Sequence, residues 1–182
     1  RNYYSYRYTH EHPANGGVEE MQRSAAREQF YGYAYEAVGR MSCLDTEDMV
    51  VMDFQNNIID GFRAPSSEYL KHREIYLRRK DVGAVVHTHS LYATAFAAAL
   101  KPIPVLLEEL ACLNGGRVNV AEYAPAGSQE LAANCVKALG DSNAVLLAKH
   151  GLVGVAATLD EALQVCQAAE RAACIAACAF GL

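Results

Sequence analysis

At 182 residues, with 52 % hydrophobic and 20 % charged positions, the chain is long enough to bury one sizeable core and is unlike a disordered segment, so one domain over residues 1–182 is expected. Its 16 Lys and Arg against 21 Asp and Glu give a net charge of -5, which leaves no overall basic field to hold a nucleic-acid backbone or an anionic membrane and points to a small-molecule ligand. No stretch has the pattern of a signal peptide or is apolar for long enough to cross a bilayer, so a cytoplasmic protein is expected.

In the N-terminal segment Tyr3, Tyr4, Tyr6 and Tyr8 alternate with polar residues before a polar stretch with Gly16 and Gly17, which reads as a short strand and a loop. Gly39 before Arg40 suits either a close backbone approach to a ligand or a plain turn. The run Met49 to Phe54, the turn cluster Gln55-Asn56-Asn57 and the return Ile58-Ile59-Asp60 predict a hairpin. Pro65-Ser66-Ser67-Glu68 then opens a helix, with a serine available as its cap and Tyr69, Leu70, Ile75, Tyr76 and Leu77 as apolar positions.

Ala84 to His89 is a β-branched run after Gly83 that predicts a buried strand. Tyr92 to Leu100 reads as an Ala-rich helix stopped before Pro102, and Val118-Asn119-Val120 as a further short strand. A helix capped by Ser128 runs to about Leu139, Asn143 to Ala148 is a continuous apolar strand, and Leu152 to Ala156 continues as another. Thr158 caps a long final helix, with Asp160 and Glu161 complementing the positive end of its dipole. Strands apolar on both faces, interleaved with helices, imply a sheet covered on both sides. The six cysteines (Cys43, Cys112, Cys135, Cys166, Cys174, Cys178) contain no CxxC pair, and several lie in Ala/Leu-rich helices, so they are expected as reduced core residues.

Side chains at i and i+2 of a strand share a face, so His87 and His89 present two imidazoles side by side. The plain alternative packs one of them in the core and turns the other to solvent. Imidazole is a common ligand of zinc and other first-row divalent metals, and three protein ligands with an open position mark a catalytic rather than a structural site. His150, at the end of a buried strand and before Gly151, is the natural third. Glu68 at a helix start can simply complement the dipole, or it can serve as a carboxylate beside the site. Ser66 and Ser67 with the unpaired N–H groups of the same helix start make a candidate anion seat.

The ordered set PSSE (65–68), AVVHTHS (84–90) and LLAKHGLVGV (146–155), followed by a Leu/Ala-rich helix, resembles the class II aldolase and adducin-head family over about residues 36–180. The resemblance implies an α/β fold, a three-layer α/β/α domain around a mixed, mostly antiparallel sheet, assembled as a homotetramer with sites between adjacent subunits. It places His87, His89 and His150 on zinc ligands, with Mn2+ or Co2+ as alternative ions, Glu68 on the catalytic carboxylate, and Gly39, Ser66 and Ser67 on substrate-phosphate contacts. The implied activity is a lyase cleaving a sugar phosphate or related hydroxy-ketone by a retro-aldol step through a metal-stabilised enediolate. A dehydratase or decarboxylase of a sugar-derived acid or sugar phosphate on the same metal, and a non-catalytic interaction domain like the adducin head, are the competing readings. The adducin-like domain is not expected to keep the ligands, all of which are present here.

Three departures from the family pattern stand out. Residues 1–35 hold no counterpart of its first helix and Gly-Asn-hydrophobic-Ser segment, and Val38 stands where a phosphate-contacting threonine is expected. Leu106-Leu107-Glu108-Glu109-Leu110 lies near the place of a tyrosine lent to a neighbouring subunit, so Glu108 or Glu109 either replaces that phenol as proton donor or is surface charge.

Overall fold

The computed structural model describes residues 3–7, 29–33 and 49–180. Their strands are β1 (Tyr3–Arg7), β2 (Gln29–Tyr33), β3 (Met49–Asp53), β4 (Ile58–Asp60), β5 (Ala84–Thr88), β6 (Asn119–Ala121), β7 (Ala144–Leu147) and β8 (Gly151–Ala156). Their helices are α1 (Tyr69–Arg78), α2 (Leu91–Ala98), α3 (Glu108–Asn114), α4 (Gln129–Leu139) and α5 (Leu159–Ala179). The strands form one sheet in the order β4-β3-β2-β1-β5-β8-β7-β6. Only the β6–β7 pair is parallel among the described pairings, so the sheet is mixed and mostly antiparallel, as expected.

Alternation along the central strands divides the apolar residues between two cores. Val85 of β5, Val145 and Leu147 of β7, and Val153 and Val155 of β8 pack with Ile75 and Tyr76 of α1 and with Leu131, Cys135 and Leu139 of α4. Ala84, Val86, Ala144, Leu146 and Leu152 point to the opposite face, against Ala93 and Ala97 of α2, Leu110 of α3, and Val165, Cys166 and Ala169 of α5. Helices therefore cover both faces of a buried sheet, giving the three layers.

Local chemistry accounts for most boundaries. Ser128 Oγ accepts from the Leu131 N–H at 3.0 Å, and Thr158 forms a reciprocal capping box with Glu161 at the start of α5. The start of α1 differs from expectation, because Glu68 holds the N-cap position and makes no side-chain cap, while Ser66 Oγ accepts the Glu68 N–H at 3.2 Å in a turn just before the helix. At the start of α2, Ser90 makes no side-chain cap and the first N–H groups are satisfied from a distance. There Glu170 of α5 accepts from Tyr92 and Ala93 at 3.0 and 2.8 Å. The hairpin is found as β3 and β4, while the segment read as a strand and a loop contributes β1 at Tyr3–Arg7. Gly39, Val38 and Cys43 lie outside the described residues. The five described cysteines are free, but only Cys135 and Cys166 are buried, and Cys112 and Cys178 are exposed, which corrects the expectation that they are core residues.

Candidate metal centre

β5 and β8 run antiparallel with Thr88 opposite Leu152 and His87 opposite Val153, so the C-terminal end of one strand meets the N-terminal end of the other. His87 therefore lies inside the sheet, His89 one residue beyond β5, and His150 directly before β8. His87 and the Val85/Val153 core share a sheet face, the one that α1 covers, and this brings the helix start at Glu68 over the histidines. One ligand-type atom from each of Glu68, His87, His89 and His150 lies within 4.8 Å of the others, with His87 buried, Glu68 and His150 half-buried and His89 exposed. The four residues singled out from sequence thus converge.

The three ring centroids form a nearly equilateral triangle with sides of 4.8, 4.9 and 4.9 Å. His87 Nδ1–H donates to the Leu152 carbonyl at 2.9 Å, which fixes the tautomer and leaves Nε2 of the neutral ring unprotonated. His89 Nε2 sits 3.0 Å from that atom, a separation made favourable either by an N–H that His89 donates or by a cation shared between the two nitrogens. Bonds of about 2.0–2.1 Å in tetrahedral directions separate ligand atoms by about 3.3 Å, so the spacing suits a small divalent ion with little movement. The donor set therefore fits a metal: three imidazoles, one locked by its outer hydrogen bond, and a carboxylate at their rim.

The electrostatics keep these groups in ligating form. Burial pushes His87 down to about 3, helped by the Lys71 charge and only partly opposed by Glu68, so its ring is neutral at physiological pH. Burial also lowers His89, with His150 adding to the effect. For Glu68, burial raises the carboxyl, but contacts with His150 and His87 and the Lys71 ammonium outweigh it and hold the group well below the usual carboxylate range. Its Oε1 lies 3.3 Å from His150 Nε2 and its Oε2 3.3 Å from His87 Nε2 and 2.9 Å from Lys71 Nζ.

Two glycines make this geometry possible. A Cβ on Gly151 would stand 2.5 Å from the Thr88 carbonyl oxygen, 2.8 Å from His89 Cδ2 and 3.2 Å from His87 Cε1. Gly127, at φ +74°, lets the loop before α4 approach the Ser67 carbonyl so closely that a Cβ would stand 2.6 Å away. Beside the second of these, Ser66 is buried and Ser67 exposed at the start of α1. Lys149 takes the left-handed conformation at φ 59° and its N–H donates to the Ala97 carbonyl at 3.0 Å, which turns the chain so that His150 faces the other two histidines.

Glu108 and Glu109 form the first turn of α3, and both are exposed. Glu109 pairs with Arg171 of α5 at 2.9 Å, so within one chain its charge is engaged at the surface. Lys71 and His72, both buried on α1 beside the centre, were not singled out from sequence. Their signal was available: positions 71, 72, 75 and 76 form the buried stripe of α1, and 71 is one turn from Glu68. No helix among the described residues is long and apolar enough to cross a membrane.

A family model described as the class II aldolase and adducin N-terminal domain matches residues 36–177. The chain is 35 % identical over 130 residues to the 5-methylthioribulose-1-phosphate/5-deoxyribulose-1-phosphate aldolase of Rhodospirillum rubrum, covering 71 % of this chain and 58 % of that protein. It is 39 % identical over 119 residues to the L-fuculose phosphate aldolase of Methanococcus maripaludis, covering 65 % of this chain and 63 % of that one. The chain thus spans about three fifths of the length of these relatives. Among solved structures, an L-fuculose 1-phosphate aldolase superposes with a TM-score of 0.85 at 31 % identity, over 99 % of this chain and 76 % of that one.

Proposed function

The chain belongs to the class II aldolase and adducin N-terminal domain family, and from that premise we propose that it is a metal-dependent lyase that cleaves a sugar phosphate by a retro-aldol step. The observation that carries the reading is the convergence of Glu68 with His87, His89 and His150 within 4.8 Å, in a family whose relatives here are named as aldolases of five- and six-carbon sugar phosphates. A divalent cation held by the three histidines, with zinc the ion best matched to an all-imidazole set, supplies Lewis acidity at the substrate carbonyl.

The residues of the chain do the rest. His87 and His150 would hold the ion with their rings already oriented, His87 by its bond to the Leu152 carbonyl and His150 by the turn at Lys149. Glu68, anionic and beside the rings, is the group placed to take up or return a proton at the carbon or hydroxyl next to the carbonyl, through Oε1 or Oε2. In this reading Ser66 and Ser67 at the start of α1, with Gly39 as a further contact, meet a substrate phosphate while its carbonyl end reaches the histidines. A cytoplasmic homotetramer of one domain per chain, with sites between adjacent subunits, completes the reading.

Elemental analysis paired with a screen of ketose phosphates tests it. The expected result is about one zinc per chain and chelator-sensitive release of dihydroxyacetone phosphate. Glu68→Gln should keep the metal and lose proton exchange into labelled water at the substrate carbon. Release of carbon dioxide or of a dehydrated acid instead would move the assignment to a decarboxylase or dehydratase, and absence of both metal and turnover would leave an adducin-like interaction domain.

A further inference from the structure

His87 is enclosed in β5 and His150 is set by the turn at Lys149, whereas His89 is exposed one residue past the strand, so its place depends on how the chain is held between β5 and α2. His89 takes part in two of the three ring separations, 4.8 Å to His87 and 4.9 Å to His150, so a shift of this residue alone opens the centre on two sides. On the strand side the chain is fixed by Thr88, paired with Leu152. The helix side has less to hold it. α2 is 8 residues long, too short to be stable by itself, and in its first turn Leu91 and Tyr92 are exposed while Ala93 is buried. Ser90 has the extended backbone of an N-cap, at φ -66° and ψ 145°, yet its hydroxyl is buried and makes no hydrogen bond to the described residues.

The anchor comes from α5. Glu170, half-buried, accepts the Tyr92 N–H through Oε1 at 3.0 Å and the Ala93 N–H through Oε2 at 2.8 Å, so its two oxygens take the two donors that a capping side chain at Ser90 would meet. One turn earlier in α5, Cys166 Sγ lies 3.7 Å from the Val86 carbonyl of β5. Positions 166 and 170 of one helix face thus meet the chain at 86 and at 92–93, on either side of His87 and His89. α5 is itself packed closely on β8, where a Cβ on Gly154 would stand 2.5 Å from Cys166 Sγ and 3.0 Å from the Ala162 carbonyl oxygen. We propose that Glu170 is a positioning residue for the metal centre: by tying the first turn of α2 to α5 it fixes the place of His89, acting through the backbone of residues 90–93. A carboxylate suits this task because each oxygen makes a charge-assisted bond to one N–H, whereas an amide offers a single acceptor oxygen. The inference rests on the reading of the three histidines as metal ligands and needs no substrate.

Two measurements on the whole chain test this: Zn2+ affinity against a competing chelator, and the visible absorption of the Co2+-loaded protein, which responds to the number and arrangement of ligands. Glu170→Ala strands both N–H groups and should weaken Zn2+ binding by about tenfold, the scale on which partners behind a ligand tune metal sites, and alter the Co2+ bands. Glu170→Gln keeps one acceptor oxygen and should fall between the alanine variant and the parent; a glutamine variant as weak as the alanine one would assign the effect to the lost charge and overturn the proposal. If the alanine variant does not fold, glutamine decides alone, and affinity and Co2+ bands identical to the parent's overturn the proposal. Thr158→Ala, which removes the capping box at the start of the same helix, separates positioning from stability. It should lower the urea midpoint while leaving Zn2+ affinity within about twofold of the parent's and the Co2+ bands unchanged. Weakening by Thr158→Ala equal to that by Glu170→Ala would mean that only the stability of α5 matters, and would also overturn the proposal. A parent that binds Zn2+, with Glu170→Ala within about twofold of it, defeats the role of Glu170 and leaves the metal centre standing. A parent that binds no Zn2+ defeats the metal centre and this inference with it.

Discussion

Gly151→Ala puts one methyl group into the narrowest point of the centre. The backbone there is not in a left-handed conformation, so in an open strand alanine would stabilise by about 0.4–1 kcal/mol through the unfolded chain. The surroundings reverse the sign. The new carbon would stand 2.5 Å from the Thr88 carbonyl oxygen, 2.8 Å from His89 Cδ2 and 3.2 Å from His87 Cε1. An ordinary carbon–oxygen contact is about 3.3 Å, so β5 and β8 must part by about 0.8 Å. The atom in the way is backbone inside a ladder, and the other two belong to rings whose separation defines the centre. Overpacking of this kind costs about 1–3 kcal/mol, leaving a net loss of about 1–2 kcal/mol. The larger effect is on the ligands, because a shift approaching 1 Å is worth about 100-fold where geometry is demanding. Urea unfolding of the metal-free protein and chelator-competition titration with Zn2+ measure the two effects separately. A variant with the parent's stability and a zinc affinity within about twofold of it would refute the close-packing argument.

Two further outcomes follow from the same coordinates. Asn114 is buried with its whole amide in use: Oδ1 accepts from Asn143 and Ala144 N–H at 3.0 and 2.6 Å, and Nδ2 donates to the Gly116 and Arg117 carbonyls at 2.9 and 3.2 Å. Asn114→Ala strands those backbone groups where α3 ends and β7 begins, and should lower unfolding stability by about 2–4 kcal/mol in urea titration; a loss under about 0.5 kcal/mol would mean that water replaces the amide. Metal-free protein should lose stability in acid. His87 charges at about 3 when folded against 6.5 as a free group, and Glu68 is held below its ordinary 4.5, so the unfolded chain binds more protons as pH falls. The contribution is therefore intact above about pH 6.5 and is lost progressively towards about pH 3. Thermal melts in chelator should show a falling Tm across that window, and a flat profile would contradict the burial of neutral His87.

The chemistry of the centre was legible because it is written in short-range patterns. Two histidines two positions apart on an apolar run must share a face, a third before a glycine closes another apolar run, and Ser128 and Thr158 announce their helices by their own side chains. What the pattern could not supply depends on register and reach. The pairing of β1 with β2 and β5 joins segments far apart in the chain, and no local signal specifies it. Glu170 caps α2 from 77 and 78 residues away, so nothing near the helix start announces it. The meaning of Gly151 lies in what a Cβ would strike across the strand pair, which no local pattern shows. Lys71 was not singled out, since a lysine stem on an apolar stripe is usually explained by its head reaching water.

These features bear on one another at the β7–β8 hairpin. Lys149 holds an unfavourable left-handed φ of 59°, which costs a residue with a Cβ about 1–2 kcal/mol, and the next two positions are a ligand-type histidine and a glycine pressed between two others. A turn chosen for stability alone would place asparagine or glycine at 149, where positive φ is easy. The strain persists because its surroundings fix it: the Lys149 N–H is tied to Ala97 of α2, the His150 N–H to Leu147, and β8 is locked between β5 and β7. The scaffold therefore holds the imidazoles converged before any ion arrives, with a carboxylate at the edge. An ion entering this centre does not have to order the ligands, so metal binding should stabilise the folded chain strongly while moving its backbone very little.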